Sequence, residues 1–344
     1  MIIKKAWKVL PLLLVTSLSS CSTHFESNDG NPLLLFHTQV YFRLGTQRNT
    51  NGLLSVKGII DELKTVDELA DIREREATNV YTLNHTNERV EISKNLYELL
   101  FNAKELMEEI PYFNPLIGSL SDKWKESLNL AGEEGRTPTL LSNAVIQEEL
   151  EKINSTDLIL EAEEGSTNTY YATRQGEALI DLGAIAKGYA LDRALGYELG
   201  HTGLTDDYII DAGRSSILLG KNSQRNSGKY IVQINESSPK VVIEENNCFI
   251  STSGISEQQA TIDGKKYSHI INPVTGSAES IFDQIVVITK KVTGAGAFGD
   301  AISTSFMMSS LDEIKEAEEE YDIKVIAIKN GSIVYKSEGI ALAN

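Results

Sequence analysis

An aspartate and a threonine four residues apart, Asp300 and Thr304, follow the glycine-rich run Gly294-Ala295-Gly296-Ala297-Phe298-Gly299. On a helix this spacing stacks their oxygens on one face, where they can hold one hard cation. Mg²⁺ commonly takes one or two ligands from protein and the rest from water and substrate phosphate, so a pair is sufficient. The same spacing also fits an Asp N-cap followed by a threonine bonded back to a helix carbonyl.

Three further segments carry chemistry. Asp181-Leu182-Gly183-Ala184-Ile185-Ala186-Lys187-Gly188-Tyr189-Ala190 reads as a strand that turns at glycine into a helix. Such a junction aims free N–H groups and a positive dipole end outward, which suits phosphate, and Lys187 adds a mobile charge. A tight connection carrying a surface lysine would look the same. In Tyr267-Ser268-His269-Ile270-Ile271-Asn272-Pro273-Val274-Thr275-Gly276 the Asn-Pro and Thr-Gly pairs bracket a turn beside His269, a candidate general base or phosphate ligand, or a structural hydrogen-bonder. Pro111-Tyr112-Phe113-Asn114-Pro115 is a rigid aromatic corner, fit to flank a flat heterocycle or to pack a core. No zinc-spaced His/Cys cluster, Gly-x-Ser-x-Gly elbow or paired-carboxylate signature competes.

The elements that must position these groups mix without strict alternation. Residues 33–42 read as a strand, 53–71 as a helix, and Ser93 as the N-cap of a helix with Leu96, Leu99, Leu100, Ala103, Leu106 and Met107 on one face, stopped by Pro111. A short helix is predicted at 142–153, strands at 157–162, 170–173 and 178–182, and a helix from Gly183 to Gly200. Later strands are expected at 207–211, 229–234, 240–244, 248–251 and 284–289, then a helix at 311–320 and a hairpin turning at Asn330-Gly331. With no repeat and no linker, this pattern indicates an α+β fold and one domain over 33–344.

At 344 residues and 41% hydrophobic the chain can bury a large core without disulfides. Its net charge of −17 disfavours nucleic acid and anionic lipid as electrostatic partners. Lys4 and Lys5 precede an apolar run from Trp7 to Val15, read as a secretion signal over 1–20. The run ends at Leu18-Ser19-Ser20-Cys21, which resembles a bacterial lipobox, so Cys21 is expected to be lipidated and 21–32 to be a tether on the extracytoplasmic face of the cell membrane. Cys248, the second cysteine, reads as a buried core thiol.

Taken in order, Asp181 to Ala190 with Asp192, Ile250-Ser251-Thr252-Ser253-Gly254, the His269 to Gly276 turn and Asp300 to Thr304 resemble the ApbE family of FAD:protein FMN transferases, over about 33–340. The resemblance implies a bilobed, T-fold-like domain of mixed, largely antiparallel sheets with flanking helices. It implies Mg²⁺ on Asp300, Thr304 and the Ala184 carbonyl, with FAD contacts at Asn84, Tyr112, Phe113, Asn114, Asp181, Lys187 and Ile271. The implied reaction moves FMN from FAD to a threonine hydroxyl of an exported acceptor, a redox protein, and releases AMP. A Mg²⁺-dependent FAD pyrophosphatase and a non-catalytic FAD-binding lipoprotein are the alternatives. Asp211-Ala212-Gly213-Arg214-Ser215 replaces the family's Gly-Gly-Asp, Glu74 stands where it places an aromatic, Thr78 stands for a serine, and Ile255 to Gln259 replaces an aromatic stretch.

Overall fold

The computed structural model describes residues 24–342, except 48, 166–167, 202, 235–240 and 257. The leader and Cys21 lie outside the described residues. No helix among the described residues is long and apolar enough to cross a membrane.

The chain begins with β1 (His24–Ser27), β2 (Leu33–Leu35) and β3 (Thr38–Thr46), followed by α1 (Thr50–Ala70), which Asn49 caps by accepting from Gly52 N. A short α2 (Val80–Asn84) and β4 (Val90–Ile92) lead to α3 (Lys94–Glu109), capped by Ser93 through Leu96 N as its sequence predicts. Next come α4 (Gly118–Ser127), α5 (Asn143–Ser155), β5 (Asp157–Glu163), β6 (Thr169–Gln175) and α6 (Ala186–Leu199). Strands β7 (Leu204–Ala212), β8 (Ser216–Leu219), β9 (Tyr230–Gln233), β10 (Val242–Glu245), β11 (Cys248–Gly254), β12 (Gln259–Ile262), β13 (Lys265–Ser268) and β14 (Gln284–Lys290) follow. The described chain closes with α7 (Ala295–Phe306), α8 (Leu311–Tyr321), β15 (Lys324–Lys329) and β16 (Ser332–Lys336).

Every strand pair is antiparallel, and the fold is α+β as the sequence pattern indicates. The main sheet runs β1-β3-β7-β8-β11-β14-β15-β16, with β2 added on β3. Side chains alternate between its faces, so Phe249, Ile285, Val287 and Val325 enter one core while Cys248, Ile250, Val286 and Ile326 enter another. The first core lies under the helices. The second lies under the β9–β10 ribbon. Coverage on both faces explains why these strands read as continuous apolar runs. Cys248 is buried as expected, and burial pushes its thiol up to about 12.

Two readings need correction. Residues 33–42 are not one strand but a hairpin, β2 and β3, turning at Phe36 and His37 with φ of 53° and 58°. Bulky residues rarely adopt this conformation, so no turn signal was visible; Asp67 accepts from Phe36 N at 2.5 Å and holds it. Residues 178–182 form no strand. Their backbone is satisfied piecemeal instead: Thr156 Oγ1 accepts from Ala178 N, Asn84 exchanges two bonds with Ile180, and Asp181 N donates to the Pro115 carbonyl. The Asn330-Gly331 hairpin is present, with φ of 51° and 69°.

Candidate metal and nucleotide site

Helix α7 carries ten buried residues, seven of them Ala, Gly or Ser, so it lies close against β11 and β14. Its N-cap is Gly294, in the left-handed region at φ 92°. Asp300 therefore sits in the second turn and is not a cap. Asp192 does the capping from the neighbouring helix, accepting from Gly294 N (2.9 Å), Gly296 N (3.0 Å) and Ala297 N (2.8 Å). Helices α6 and α7 cross at Gly188 and Gly296, where each backbone blocks a side chain on the other.

The crossing delivers Gly188 N to Asp300 Oδ2 at 2.7 Å. Ser251 Oγ donates to Oδ1 at 2.7 Å, and Ser216 Oγ reaches Oδ1 at 2.8 Å and Oδ2 at 2.9 Å. Burial pushes the Asp300 carboxyl up, opposed by the Lys187 charge and these donors. No Lys, Arg or His lies within ion-pair distance of Asp300 among the described residues. Thr304 Oγ1 donates to the Asp300 carbonyl at 3.0 Å and lies 3.0 Å from Ser253 Oγ. The back-bond is therefore made, and a hydroxyl lone pair remains for a cation.

All of this opens into one cavity of about 1160 Å³, large enough for a dinucleotide. Ala184, Asp300 and Thr304 line it together with Asp181, Lys187, His269, Ile271, Tyr112, Phe113 and Asn114, so ten expected residues converge. An aspartate, a threonine hydroxyl and a carbonyl are hard oxygen donors, and a buried carboxylate with no cation in ion-pair contact among the described residues favours added positive charge, so the set fits Mg²⁺. Asn84 is not in the lining; its amide is spent on Ile180 N (2.8 Å) and O (2.9 Å), which fixes the approach to Asp181. Arg174, buried and donating to the carbonyls of Leu83, Asn84, Thr86, Gly176 and Ala178, secures the same corner.

Phe36, His37 and Lys125 also line the cavity, and none of them was legible as a site residue. Phe36 and His37 reach the cavity because of their turn. Lys125 bridges Asp122 (3.7 Å) and Asp181 (3.6 Å) on its wall. The Thr252 hydroxyl is buried there without a hydrogen-bond partner among the described residues. His269 faces the Gln258 carbonyl through Nδ1 at 3.5 Å. Trp124 Nε1 donates to the Gly276 carbonyl and anchors the turn that follows His269. In the departure segment, Asp211 accepts from Arg214 N at 2.6 Å while Gly213 and Arg214 take positive φ.

Asp192 provides a pH-dependent test of this framework. Burial, with the three backbone donors opposing and the Asp300 carboxyl adding, pushes it up to about 7, above about 3.9 when unfolded. The native state thus holds the proton more firmly, so its contribution to stability is flat below about pH 4 and falls as pH rises toward 7. Asp192→Asn removes this titration. Urea midpoints of the two proteins between pH 4 and 8 should show wild type losing ground to the variant as pH rises.

An α+β fold of antiparallel sheets thus brings Asp300, Thr304, Ala184 and Lys187 to the wall of one cavity. The chain belongs to the ApbE family, whose model matches residues 36–327. A Treponema pallidum protein named FAD:protein FMN transferase is 27% identical over 225 residues, covering 62% of this chain and 60% of that relative. The chain thus spans about 60% of that relative's length. A Chlamydia pneumoniae protein of the same name is 24% identical over 331 residues, covering 92% and 95%. The Thermotoga maritima ApbE crystal structure superposes with a TM-score of 0.69 at 20% identity, covering 92% of this chain and 97% of that one. The flavin transferase ApbE from Vibrio cholerae does so at 0.64, 19%, 92% and 97%.

Proposed function

We propose that this protein transfers FMN from FAD to a threonine hydroxyl of an exported acceptor protein, a redox protein, and releases AMP. The observation that carries the reading is Asp300 beside Thr304 and Ala184 in a cavity that Lys187 and His269 also line. Its relatives' shared name supports the substrate pair. Bound Mg²⁺ on Asp300, Thr304 and the Ala184 carbonyl supplies charge neutralisation at the pyrophosphate.

The chain's own groups do the rest. Lys187 holds phosphate oxygens, while the N–H groups of Gly183, Ile185, Ala186 and Gly188 are already bonded to Asp181, Leu182 and Asp300. Tyr112, Phe113 and Ile271 enclose the flavin and shed water from it. The acceptor oxygen bonds to the FMN phosphorus, the bond from that phosphorus to the bridging oxygen breaks, and AMP leaves with that oxygen and the electron pair. His269, on the same cavity wall, is the candidate base that takes the hydroxyl proton and passes it to solvent. The Lys4 to Cys21 leader supports export and lipid anchoring at Cys21.

The test is incubation of the full-length chain with FAD, MgCl₂ and a pool of peptides about nine residues long, one strand's length, with threonine fixed at the centre. A peptide mass gain of one FMN with equimolar AMP is expected, and EDTA should abolish both. AMP with free FMN would instead make the protein a pyrophosphatase, and FAD binding without AMP would make it a flavin-binding lipoprotein.

A further inference from the structure

Strand β9 pairs with β10 in the register Tyr230 to Glu245, Ile231 to Glu244, Val232 to Ile243 and Gln233 to Val242. Ile234 N donates to the Val241 carbonyl at 2.8 Å, so the hydrogen-bonded pairs fall at 234, 232 and 230. Ile231 lies between them and turns its N–H and C=O away from β10. On the far side of the ribbon the edge is closed by the chain itself: Glu244 N donates to the Ala341 carbonyl, and Ile243 bridges Leu342. No strand lies against the β9 side among the described residues, and Ile231 is 50% exposed.

Ile231 on this edge belongs to the reaction cavity. Residues 231, 232, 233 and 234 all line it, although alternate side chains point opposite ways, with Val232 and Ile234 buried in the second core. Only a backbone edge presents four consecutive residues to one space. The lining continues through Ser215, Ser216 and Thr252 to Asp300 and Thr304. An exposed apolar edge is normally a hazard that proteins charge, shorten or cover. Here it opens onto the site where a protein substrate must place a hydroxyl.

We infer that the acceptor docks by strand addition: an extended, threonine-bearing segment pairs with the outward N–H and C=O of Ile231 on β9 and runs into the cavity. Main-chain bonds supply sequence-tolerant affinity, and the Ile231 side chain selects a β-branched or apolar neighbour next to the strand it receives. The inference rests on the transfer reading for the need of a protein acceptor. It adds where on the cavity wall that acceptor is held, at a residue other than those assigned to FAD.

Ile231→Pro tests it, because proline removes only the outward N–H and spares every β9–β10 hydrogen bond. With the threonine-centred peptide pool, the variant should label about tenfold less or worse, as expected for one lost bond at the edge plus its disturbed neighbours, while FAD affinity by flavin fluorescence is unchanged. Ile231→Thr keeps the N–H and should label within about threefold of wild type. Wild-type labelling by the proline variant, or a parallel loss of FAD affinity, overturns the docking mode. Should wild type label no peptide, the transfer reading fails separately. Hydrogen exchange then decides the edge: slowed exchange at the Ile231 amide on adding the pool sustains it, and unchanged exchange rejects it.

Discussion

Asp300→Ala is expected to lower Mg²⁺-dependent release of AMP from FAD by at least about a thousandfold, the equivalent of about 4 kcal/mol of transition-state stabilisation. The size follows from what is lost. Asp300 is the only acidic group in the donor set, and the Thr304 hydroxyl and Ala184 carbonyl that remain carry no charge to hold a hydrated divalent ion. Truncation also leaves Gly188 N and the Ser216 and Ser251 hydroxyls without their acceptor, which by itself destabilises by about 1–3 kcal/mol. A fall in activity could therefore come from a damaged fold. Thr304→Val separates the two causes, because it is nearly isosteric and removes one metal oxygen while sparing those three donors. It should raise the Mg²⁺ concentration needed for half-maximal activity by about tenfold and leave thermal stability near wild type. If AMP release by Asp300→Ala matched wild type at equal folded fraction, the metal assignment would be wrong.

The parts of this site that sequence exposes are those set by local rules. Ser93 and Asn49 cap helices, Asn330-Gly331 turns a hairpin, and a glycine-rich run opens α7, because each reports on its own few residues. Asp300, Thr304, Lys187 and His269 were legible as chemistry for the same reason. What stayed hidden depends on partners far along the chain. Ser216 and Ser251, the hydroxyls that fix Asp300, come from strands 84 and 49 residues away and are of a type too common to stand out. Residues 178–182 read as a buried strand because their apolar run is real, yet their donors are met by Thr156, Asn84 and the 115–118 corner, an exchange invisible to any local window. Asn84 itself was expected against FAD and is found shaping the wall behind Asp181. The Phe36-His37 turn was missed because its strained dihedrals are imposed by Asp67, from another element.

The same dependence on distant backbone makes Gly188→Ala a damaging change despite its small size. A methyl at 188 would sit 2.1 Å from the Gly296 carbonyl oxygen and 2.9 Å from Ala297 N. These are backbone atoms on a helix locked to the sheet, so the relief must come from α6 and α7 moving apart. Separation costs about 1–3 kcal/mol in overpacking, and lengthening the Gly188 bond to the Asp300 carboxylate costs about 1.5–3 kcal/mol more. The melting temperature should fall by about 10 °C. Because the shift displaces the Asp300 carboxylate relative to Ala184 and Lys187, AMP release should drop about a hundredfold in the protein that remains folded. Gly296→Ala should behave alike, since its methyl would meet the Gly188 carbonyl at 2.4 Å. Gly196→Ala on the same helix is the control: nothing lies within 4 Å of its methyl, so it should stabilise by about 0.5–1 kcal/mol and leave activity untouched. A Gly188 variant as stable and active as that control would show that the crossing does not set the geometry of the site.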